Sequence, residues 1–408
     1  MSLAFRPLKD PATDAGRFLC RLALIILMIV TPAAEVASRL AIYSLLPIGA
    51  VVLCIGGLLT GVGEVPQRLL KIVGTPLGLA AILLTAWTGL SLLWTPFPVD
   101  ASSRVLKGGT TEIVVLLTII ALPERTRAAN LYLLPIGLTL VAAATLILSL
   151  IGPAYLRGGT DTAFIQRCSM SMVMLVFPAI GALTLRERWR LAAALAGVVV
   201  AAALAAFVDV ALAAFALGAL VYAGALTMPT RLAKIFGYGF AGLLALAPVL
   251  VIALAQLTAF APHAPFAEPL RVTASLVLHD WPRLITGHGI DMALRATGSG
   301  FLPAATPRSL LFQIWYDLGL VGAFSLAFLI AGAFRAVGRL PPIYAAPVLG
   351  GVTAGLVIAL CGSETTQIWW ITLNGLNAIA FAIFLKAPMR RKRVAAPSLE
   401  NAVAGFGV

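Results

Sequence analysis

The chain has 408 residues, 61% of them apolar, whereas soluble proteins average about 45 to 50%. It carries 29 lysines and arginines, 16 aspartates and glutamates, and a mean hydropathy of +1.01. This composition excludes a soluble globular protein, and stretches that are apolar all round, such as Leu191–Val208, exclude the alternating pattern of an outer-membrane barrel. We therefore predict an all-α polytopic membrane protein, with residues 1–408 forming a single transmembrane domain.

Apolar stretches follow one another along the chain, most of them about 20 residues long and so able to cross the hydrocarbon core of a bilayer. The fourth stretch is the weakest because Lys107 and Glu112 flank it. The tight hairpin at Asp209 leaves open that the seventh and eighth stretches form one long buried helix. The twelve predicted spans are Phe18–Ala37, Leu40–Leu59, Leu77–Trp94, Gly108–Leu122, Leu131–Ile151, Cys168–Leu185, Leu191–Val208, Val210–Thr227, Ile235–Ala259, Leu310–Phe334, Tyr344–Leu360 and Ile368–Leu385.

The distribution of basic residues predicts the orientation, since lysine and arginine in short loops are retained in the cytoplasm. Placing both termini inside assigns 20 of the 29 basic residues to the cytoplasm, and every inner loop then carries at least two. The orientation in the membrane and contact with anionic lipid then explain the formal net charge of +13. Binding to nucleic acid is not needed to account for it. Residues 389–408 are predicted to form a disordered cytoplasmic tail.

One long connection, residues 260–309, lies outside between the ninth and tenth spans. Long ordered loops commonly carry function, and this one contains all three histidines of the chain. Its sequence predicts an amphipathic helix from Glu268 to Asp280. The segment Gly287-His288-Gly289 follows, and its glycines would allow the backbone to approach a ligand closely.

Nine basic residues remain on the outer side, against the usual bias, and some of them are candidates to bind an anion. Arg308 directly precedes the tenth span, where a guanidinium, free backbone N–H groups and the positive helix end would favour a phosphate. Snorkelling towards the lipid headgroups explains Arg39, Arg104 and Lys107 more simply. The further candidates for substrate binding are Arg157, Arg167, Arg271 and Arg295.

Asp317 lies one to two turns inside the tenth apolar span. A carboxylate in hydrocarbon costs several kcal/mol unless it faces a cavity or a cation, so we predict a functional role for it. For Asp209 and Glu364 the sequence is compatible with a structural role and with a functional role alike. His263 and His279 are interpreted as ordinary loop histidines, whereas His288 is the histidine predicted to act.

These residues resemble the bacterial O-antigen ligase and polymerase superfamily of inner-membrane glycosyltransferases. The resemblance extends over most of the chain, with about twelve spans, one large outer loop, and Ser91-Leu92-Leu93-Trp94-Thr95-Pro96 closing the third span. Gly287-His288-Gly289-Ile290 is similar to the Gly-His-Gly element of the family. Thr306–Gly319 is similar to the family signature at the start of the following helix.

The chain also departs from the family pattern. Arg308 stands where the family usually has its proposed catalytic histidine, Ser309 replaces an asparagine, and Asp317 replaces a glutamate. Val208-Asp209-Val210 stands where the family has a Ser-Arg-Gly step. The combination of Arg308 with Gly319 is similar to polymerase-type members, which slightly favours a polysaccharide polymerase over ligation to lipid A core.

The resemblance implies transfer of a glycan from undecaprenyl pyrophosphate to an acceptor saccharide or lipid-linked glycan, at the periplasmic face of the bacterial inner membrane. It implies no metal and no cofactor, and no metal-binding pattern is visible in the sequence. Arginines can stabilise the leaving pyrophosphate. Because arginine stays protonated, the acceptor proton must go to His288 or Asp317. We expect His288 to be the base and Asp317 to orient an arginine or the acceptor.

A transporter or flippase for a lipid-linked saccharide or another anionic solute is the alternative, since it would also place arginines beside an aqueous cavity. The candidate charges cluster at one face, whereas a carrier with alternating access would be expected to hold them near the middle of the bilayer. No matched pair of interrupted helices is evident in the sequence, which also disfavours an inverted-repeat transporter.

Overall fold

The computed structural model of the protein describes residues 11–38, 40–60, 65–123, 127–151, 162–260, 263–264, 266–362 and 367–387, which are helical apart from their connections. Arg39, Arg157, Glu364 and the predicted tail 389–408 lie outside these residues. The helices, in chain order, are α1 (Pro11–Glu35), α2 (Ala41–Leu59), α3 (Val65–Val73), α4 (Pro76–Leu93), α5 (Pro98–Ala121), α6 (Leu133–Ile151), α7 (Thr162–Leu185), α8 (Trp189–Ala205), α9 (Asp209–Ala225), α10 (Pro229–Ala245), α11 (Ala247–Leu257), α12 (Ala267–His279), α13 (Arg283–Thr286), α14 (Met292–Arg295), α15 (Leu310–Val337), α16 (Pro342–Cys361) and α17 (Ile368–Leu385).

Eight of the described helices are long and apolar enough to cross a membrane, namely α1, α2, α4, α6, α7, α15, α16 and α17, and the bent pair α10 and α11 qualifies when taken together. Helices α8 and α9 are apolar but only 17 residues long each. Helix α5 has 24 residues and carries several charged side chains. The chain is therefore a polytopic helical membrane protein. Every predicted span overlaps a helix, and the number of twelve crossings stays a prediction.

Helix α7 forms the centre of the bundle, because 94% of its most apolar window is buried, against 6% for α4 at the periphery. Helices α6, α8, α16 and α17 pack around it. Small residues bring helices together, as is common in membranes. A Cβ atom added to Gly218 of α9 would lie 2.8 Å from the carbonyl oxygen of Gly350 in α16, so these two backbones are in direct contact.

Contacts at the two ends of the bundle agree with the alternation of the predicted spans. At one end, Ser171 Oγ of α7 and Trp369 Nε1 of α17 donate to Glu35 Oε1 in the last turn of α1, at 2.8 and 2.9 Å. At the other end, Lys386 Nζ donates to the carbonyl oxygen of Ile119 at 3.0 Å. Segments predicted to share one membrane face therefore meet each other.

The ninth predicted span is broken rather than straight. Helices α10 and α11 meet at an angle of 76°, directly before Pro248. Proline has no N–H, so Pro248 cannot donate to the carbonyl of Leu244 one turn earlier. Trp315 Nε1 of α15 donates to this freed oxygen at 2.7 Å, which satisfies it within the protein as the interior of a membrane requires.

The segment predicted to lie outside, residues 260–309, contains α12, α13 and α14 among its described residues. The helix predicted from Glu268 to Asp280 is α12, Ala267–His279, so this prediction is confirmed. Helix α12 packs against α11, with Thr273 and Ala274 buried.

Candidate functional site

Helix α15 is interrupted where the sequence places its acidic residue. A π-turn, Ile314–Leu318, precedes Gly319, whose φ of +63° ends the regular helix. The interruption leaves carbonyl groups free for other partners. The carbonyl oxygens of Tyr316 and Asp317 accept from the backbone N–H groups of His288 and Gly289 at 2.8 and 3.0 Å. The Gly-His-Gly segment is therefore attached to the break in α15.

Both glycines that flank His288 are required by this arrangement. Gly287 and Gly289 have φ values of +74° and +97°, which favour glycine. A Cβ atom on Gly287 would overlap the carbonyl oxygen of Asp317, and one on Gly289 would lie 2.6 Å from Thr95 Cα. The glycines thus let the loop pack directly against two other segments.

The end of α4 supports the same loop from the opposite side. Thr95 Oγ1 donates to the carbonyl oxygen of Ile290 at 2.8 Å, and the N–H of Ile290 donates to Ser91 Oγ at 3.2 Å. Trp87 Nε1 donates to the carbonyl oxygen of Leu318 at 2.9 Å. The segment from Ser91 to Pro96, noted in the sequence for its resemblance, therefore contacts the Gly-His-Gly loop.

The imidazole of His288 is fixed in one orientation. Its Nδ1 lies 3.1 Å from the carbonyl oxygen of Tyr316, and because a carbonyl only accepts, Nδ1 must carry the hydrogen. The ring also stacks on Tyr316, with 4.1 Å between centroids. Nε2 lies 3.6 Å from Asp280 Oδ2 and carries no hydrogen in the neutral ring. This nitrogen is therefore positioned to accept a proton.

Asp317 is fully buried, and its carboxylate holds the backbone of the loop. Its Oδ1 accepts from the N–H of Ala293 at 2.7 Å, and its Oδ2 accepts from the N–H of Asp291 at 3.2 Å. Within the described part of the chain, no ion pair joins Asp317 to an arginine. Asp317 thus stabilises the start of α14, and its predicted role of orienting an arginine or the acceptor stays a prediction.

Asp291 was not singled out from the sequence, although it lies at the centre of an ion-pair network. It is 1% exposed and has a φ of +73°. Its two carboxylate oxygens pair with Arg104 at 2.9 Å and with Arg295 at 2.6 Å, and Arg295 also reaches Asp100 at 3.2 Å. The hydrogen bond that Arg295 donates to Asp291 raises the pKa of Arg295 above its usual range.

The structure separates the predicted arginines from one another. Arg295 is engaged in the network of Asp291, and Arg271 donates to the side chain and carbonyl of Thr258 at 2.9 and 3.1 Å, which ties α12 to the end of α11. Arg167 lies on α7, a helix that lines neither cavity at the break, and Arg157 falls outside the described residues.

Arg308 is exposed directly before α15, where Ser309 caps the helix by accepting from the N–H of Phe312 at 3.4 Å. Arg283, which was not proposed from the sequence, is exposed on α13. Neither guanidinium has a hydrogen-bond or ion-pair partner among the residues that the structure describes. Both remain able to bind an anion.

Two cavities lie on opposite faces of the first turns of α15. The first, of about 210 Å³, is bounded by the α10–α11 bend, α12, α13 and α15, and its wall is apolar apart from a few side chains that include Asp280, Arg283 and His288. The second, of about 330 Å³, lies between α4, α5, α15 and α17 and is more polar. Pro307 and Ser309 line the first cavity and Leu310 lines the second, so Arg308 stands at the end of the wall between them.

Comparisons with protein families, with curated proteins and with solved structures find no match for this chain. The resemblance in the sequence must therefore be judged on the geometry of the residues that carry it. Of those residues, His288, Asp317 and Gly319 meet at one place, together with the segment from Ser91 to Pro96. Arg308 lies at the edge of the same region.

Proposed function

We propose that this protein is a membrane glycosyltransferase of the O-antigen ligase and polymerase type. It would transfer a glycan from undecaprenyl pyrophosphate to an acceptor saccharide at the periplasmic face of the inner membrane, with both of its termini in the cytoplasm. One observation carries the proposal: the carbonyl oxygen of Tyr316 holds Nδ1 of His288, and the imidazole lines an apolar cavity whose wall also contains Arg283, an arginine with no protein partner among the described residues. An apolar cavity suits a polyprenyl chain, and a cation at its edge suits a pyrophosphate.

The reaction exchanges one bond at the anomeric carbon and transfers one proton. The acceptor hydroxyl oxygen bonds to the anomeric carbon of the donor glycan, while the bond from that carbon to the pyrophosphate oxygen breaks. The hydroxyl proton passes to Nε2 of His288, and undecaprenyl pyrophosphate leaves as an anion. A neutral imidazole suits this transfer because its unprotonated nitrogen can accept the hydroxyl proton.

Arg308, together with Arg283, would stabilise the negative charge that develops on the leaving pyrophosphate. Both are exposed and free of protein partners among the described residues, unlike Arg271 and Arg295, which hold protein groups instead. Preorganised cations of this kind act without a metal, because they are aimed at the charge that grows in the transition state. Asp317 acts through the loop it holds, so it is a positioning residue.

A transporter or flippase is the alternative function, and the same region of the structure bears on it. Among the described residues, helices are interrupted at the α10–α11 bend and at Gly319 of α15, and neither interruption was expected from the sequence. They contact each other through Trp315 and Leu244 and converge on the cavity that contains His288. An imidazole held in one tautomer beside a cavity favours proton transfer over solute passage, so we retain the enzyme.

Deleting the gene and separating the envelope polysaccharides on a gel tests this function. A polymerase deletion should leave single repeats on the acceptor, and a ligase deletion should leave polymer on its lipid carrier. Accumulation of repeats inside the cell would instead identify a flippase and contradict the proposal. Complementation with His288→Gln should fail, whereas His279→Gln, a histidine of the same segment that is exposed on α12, should restore the polymer.

A further inference from the structure

Asp280 is a charged residue of the first cavity to which the proposed reaction gives no role. The bend of α10 and α11 contributes only apolar side chains to the wall of this cavity, and the carboxylate of Asp317 is turned towards the N–H groups of Asp291 and Ala293 instead. Among the described residues, the titratable side chains in the wall are those of Asp280, Arg283, His288 and Tyr316. Of these four, Asp280 is the one that supplies negative charge beside the imidazole.

The backbone of Asp280 is held between two helices. Its N–H donates to the carbonyl oxygen of Leu276 at 3.0 Å and so closes the last turn of α12. Its own carbonyl oxygen accepts from the N–H of Arg283 at 2.9 Å, at the start of α13. The side chain of Asp280 therefore begins from a fixed position at the edge of the cavity.

The carboxylate of Asp280 faces the imidazole of His288. Its Oδ2 lies 3.6 Å from Nε2. Within the part of the chain that the structure describes, no lysine or arginine pairs with this carboxylate, although Arg283 follows it closely in the sequence. The carboxylate is therefore free to respond to the charge of the imidazole.

The position of Asp280 suits a base that gains positive charge. In the neutral ring Nε2 has a lone pair, and a carboxylate has no hydrogen to offer it, so the lone pair stays open to the acceptor hydroxyl. Once the hydroxyl proton has bonded to Nε2, both ring nitrogens are donors. Nδ1 keeps the carbonyl oxygen of Tyr316 at 3.1 Å, and Nε2 can donate to Asp280. A charged donor and a charged acceptor form a stronger hydrogen bond than neutral groups do.

We propose that Asp280 is a positioning residue for the transfer, which acts through His288 by stabilising its imidazolium. The inference rests on the proposed function and adds the group that balances the charge on the base. The acceptor hydroxyl gives its proton to Nε2 while its oxygen bonds to the anomeric carbon, and the imidazolium later releases that proton to water. Arg283 lines the same cavity and opposes a second positive charge there, an effect that the bound pyrophosphate offsets.

The protonation of His288 can be measured directly, because the chain has three histidines and the other two, His263 and His279, are exposed. Replacing both with glutamine leaves His288 as the single imidazole of the full-length protein, and NMR of the isotope-labelled ring follows its titration in lipid nanodiscs. Asp280→Asn should lower the pH of half-protonation by about half a unit, because the ring loses a partner that favours its charged form and the pair is partly exposed to water.

Asp100→Asn is the matched control. The side chain of Asp100 is 50% exposed, against 54% for Asp280, and it pairs with Arg295 rather than lining the first cavity. It should leave the titration of His288 unchanged, and Asp280→Glu, which keeps the negative charge, should retain most of the wild-type midpoint. An unchanged midpoint in Asp280→Asn, or an equal change in Asp100→Asn, would overturn the inference.

Kinetics separate this inference from the proposed function. In Asp280→Asn the acidic limb of the pH–rate profile should move to lower pH by the same amount, and the plateau rate should fall about twofold to threefold, since the transition state holds part of the imidazolium charge. A lower plateau with an unmoved limb would identify a merely structural role and overturn the inference, while the proposed function stands. A shifted titration in a protein that transfers no glycan would overturn the role of Asp280 in transfer together with the proposed function.

Discussion

Asp317 and Glu35 are two buried carboxylates with different surroundings. Their exposed fractions are 0% and 4%, and each lies in a helix that contains a π-turn, Ile314–Leu318 in α15 and Ile26–Val30 in α1. Asp317 accepts from backbone N–H groups of a loop, whereas Glu35 accepts from side chains of two other helices. Asp317 borders the second cavity, and Glu35 borders neither of the two cavities beside α15.

A buried carboxylate therefore does not identify a functional site by itself. Glu35 ties α1 to α7 and α17 through groups that pack the bundle, and it supports no loop. Asp317 holds the loop that contains His288, at a place where the helix is interrupted and a cavity opens. The partners of the carboxylate, rather than its burial, distinguish a positioning residue from a structural one.

Among the substitutions outside His288, Asp317→Ala is expected to have the largest effect on the rate of glycan transfer. It leaves the N–H groups of Asp291 and Ala293 without their charged acceptor, which costs about 4 kcal/mol, or about 1000-fold in rate if the loop must be in place to react. Initial rates with purified protein should show kcat reduced and the KM for the donor unchanged. Asp317→Asn, which keeps one acceptor oxygen, should recover part of the rate. Activity close to wild type in Asp317→Ala would show that Asp317, like Glu35, is not needed for glycan transfer.

Arg308→Ala should reduce transfer about 30-fold to 1000-fold, because losing a cation beside a developing anion costs about 2 to 4 kcal/mol. Arg308→Lys should recover only part of this rate, since an ammonium cannot form the paired contacts of a guanidinium. Arg271→Lys is the matched comparison and should change the rate less, because Arg271 is bound to Thr258. Polymer of normal length from cells that express Arg308→Ala well would contradict the role of Arg308 in stabilising the leaving pyrophosphate.

A smaller effect is expected for Asp291→Asn, which removes the negative charge shared by Arg104 and Arg295. Asparagine tolerates the left-handed backbone at this position, so the loop should keep its course. We expect a loss of stability of about 1 to 3 kcal/mol and a rate reduction of about tenfold. Thermal unfolding and initial rates measure the two effects. An unchanged melting temperature would show that the network contributes nothing to the fold.

Glu35→Gln should have the smallest effect on transfer. The amide oxygen of glutamine can still accept from Ser171 and Trp369, so the rate should stay within about twofold of wild type. Glu35→Ala should lower stability by about 1 to 3 kcal/mol, because it leaves those two donors buried without an acceptor. The rate per folded molecule should not change. A loss of transfer in Glu35→Gln at normal stability would show that Glu35 takes part in the reaction and is not only structural.

Local patterns in the sequence predicted the helices, including the amphipathic α12. They also indicated His288 and Asp317 as candidate site residues. They did not reveal that Asp291 pairs with Arg104, because these residues are 187 positions apart and only the fold brings them together. Arg104 accordingly looked like an interfacial residue. Gly319 was noted for its resemblance to the family, yet its positive φ, and with it the interruption of α15, depends on contacts with the loop at Gly287.

The break between α10 and α11 was predicted as a continuous span because proline is tolerated in many membrane helices. The sequence around Pro248 is uniformly apolar and contains no polar residue to mark the bend. The contact that stabilises the bend comes from Trp315, which lies far away in the sequence. Its indole N–H donates to the carbonyl oxygen of Leu244. The glutamate at position 35 was likewise overlooked, since its donors come from α7 and α17.

The most direct test of the account is single-turnover transfer by the purified protein in nanodiscs, with an undecaprenyl-pyrophosphate-linked glycan as donor, comparing wild type with His288→Gln. We expect His288→Gln to bind the donor with unchanged affinity and to transfer it about 100-fold to 10,000-fold more slowly, the usual loss for a missing general base. His279→Gln should behave as wild type. Full activity of His288→Gln beside an inactive Asp317→Asn would reverse the two roles, and full activity of both would remove these residues from the site.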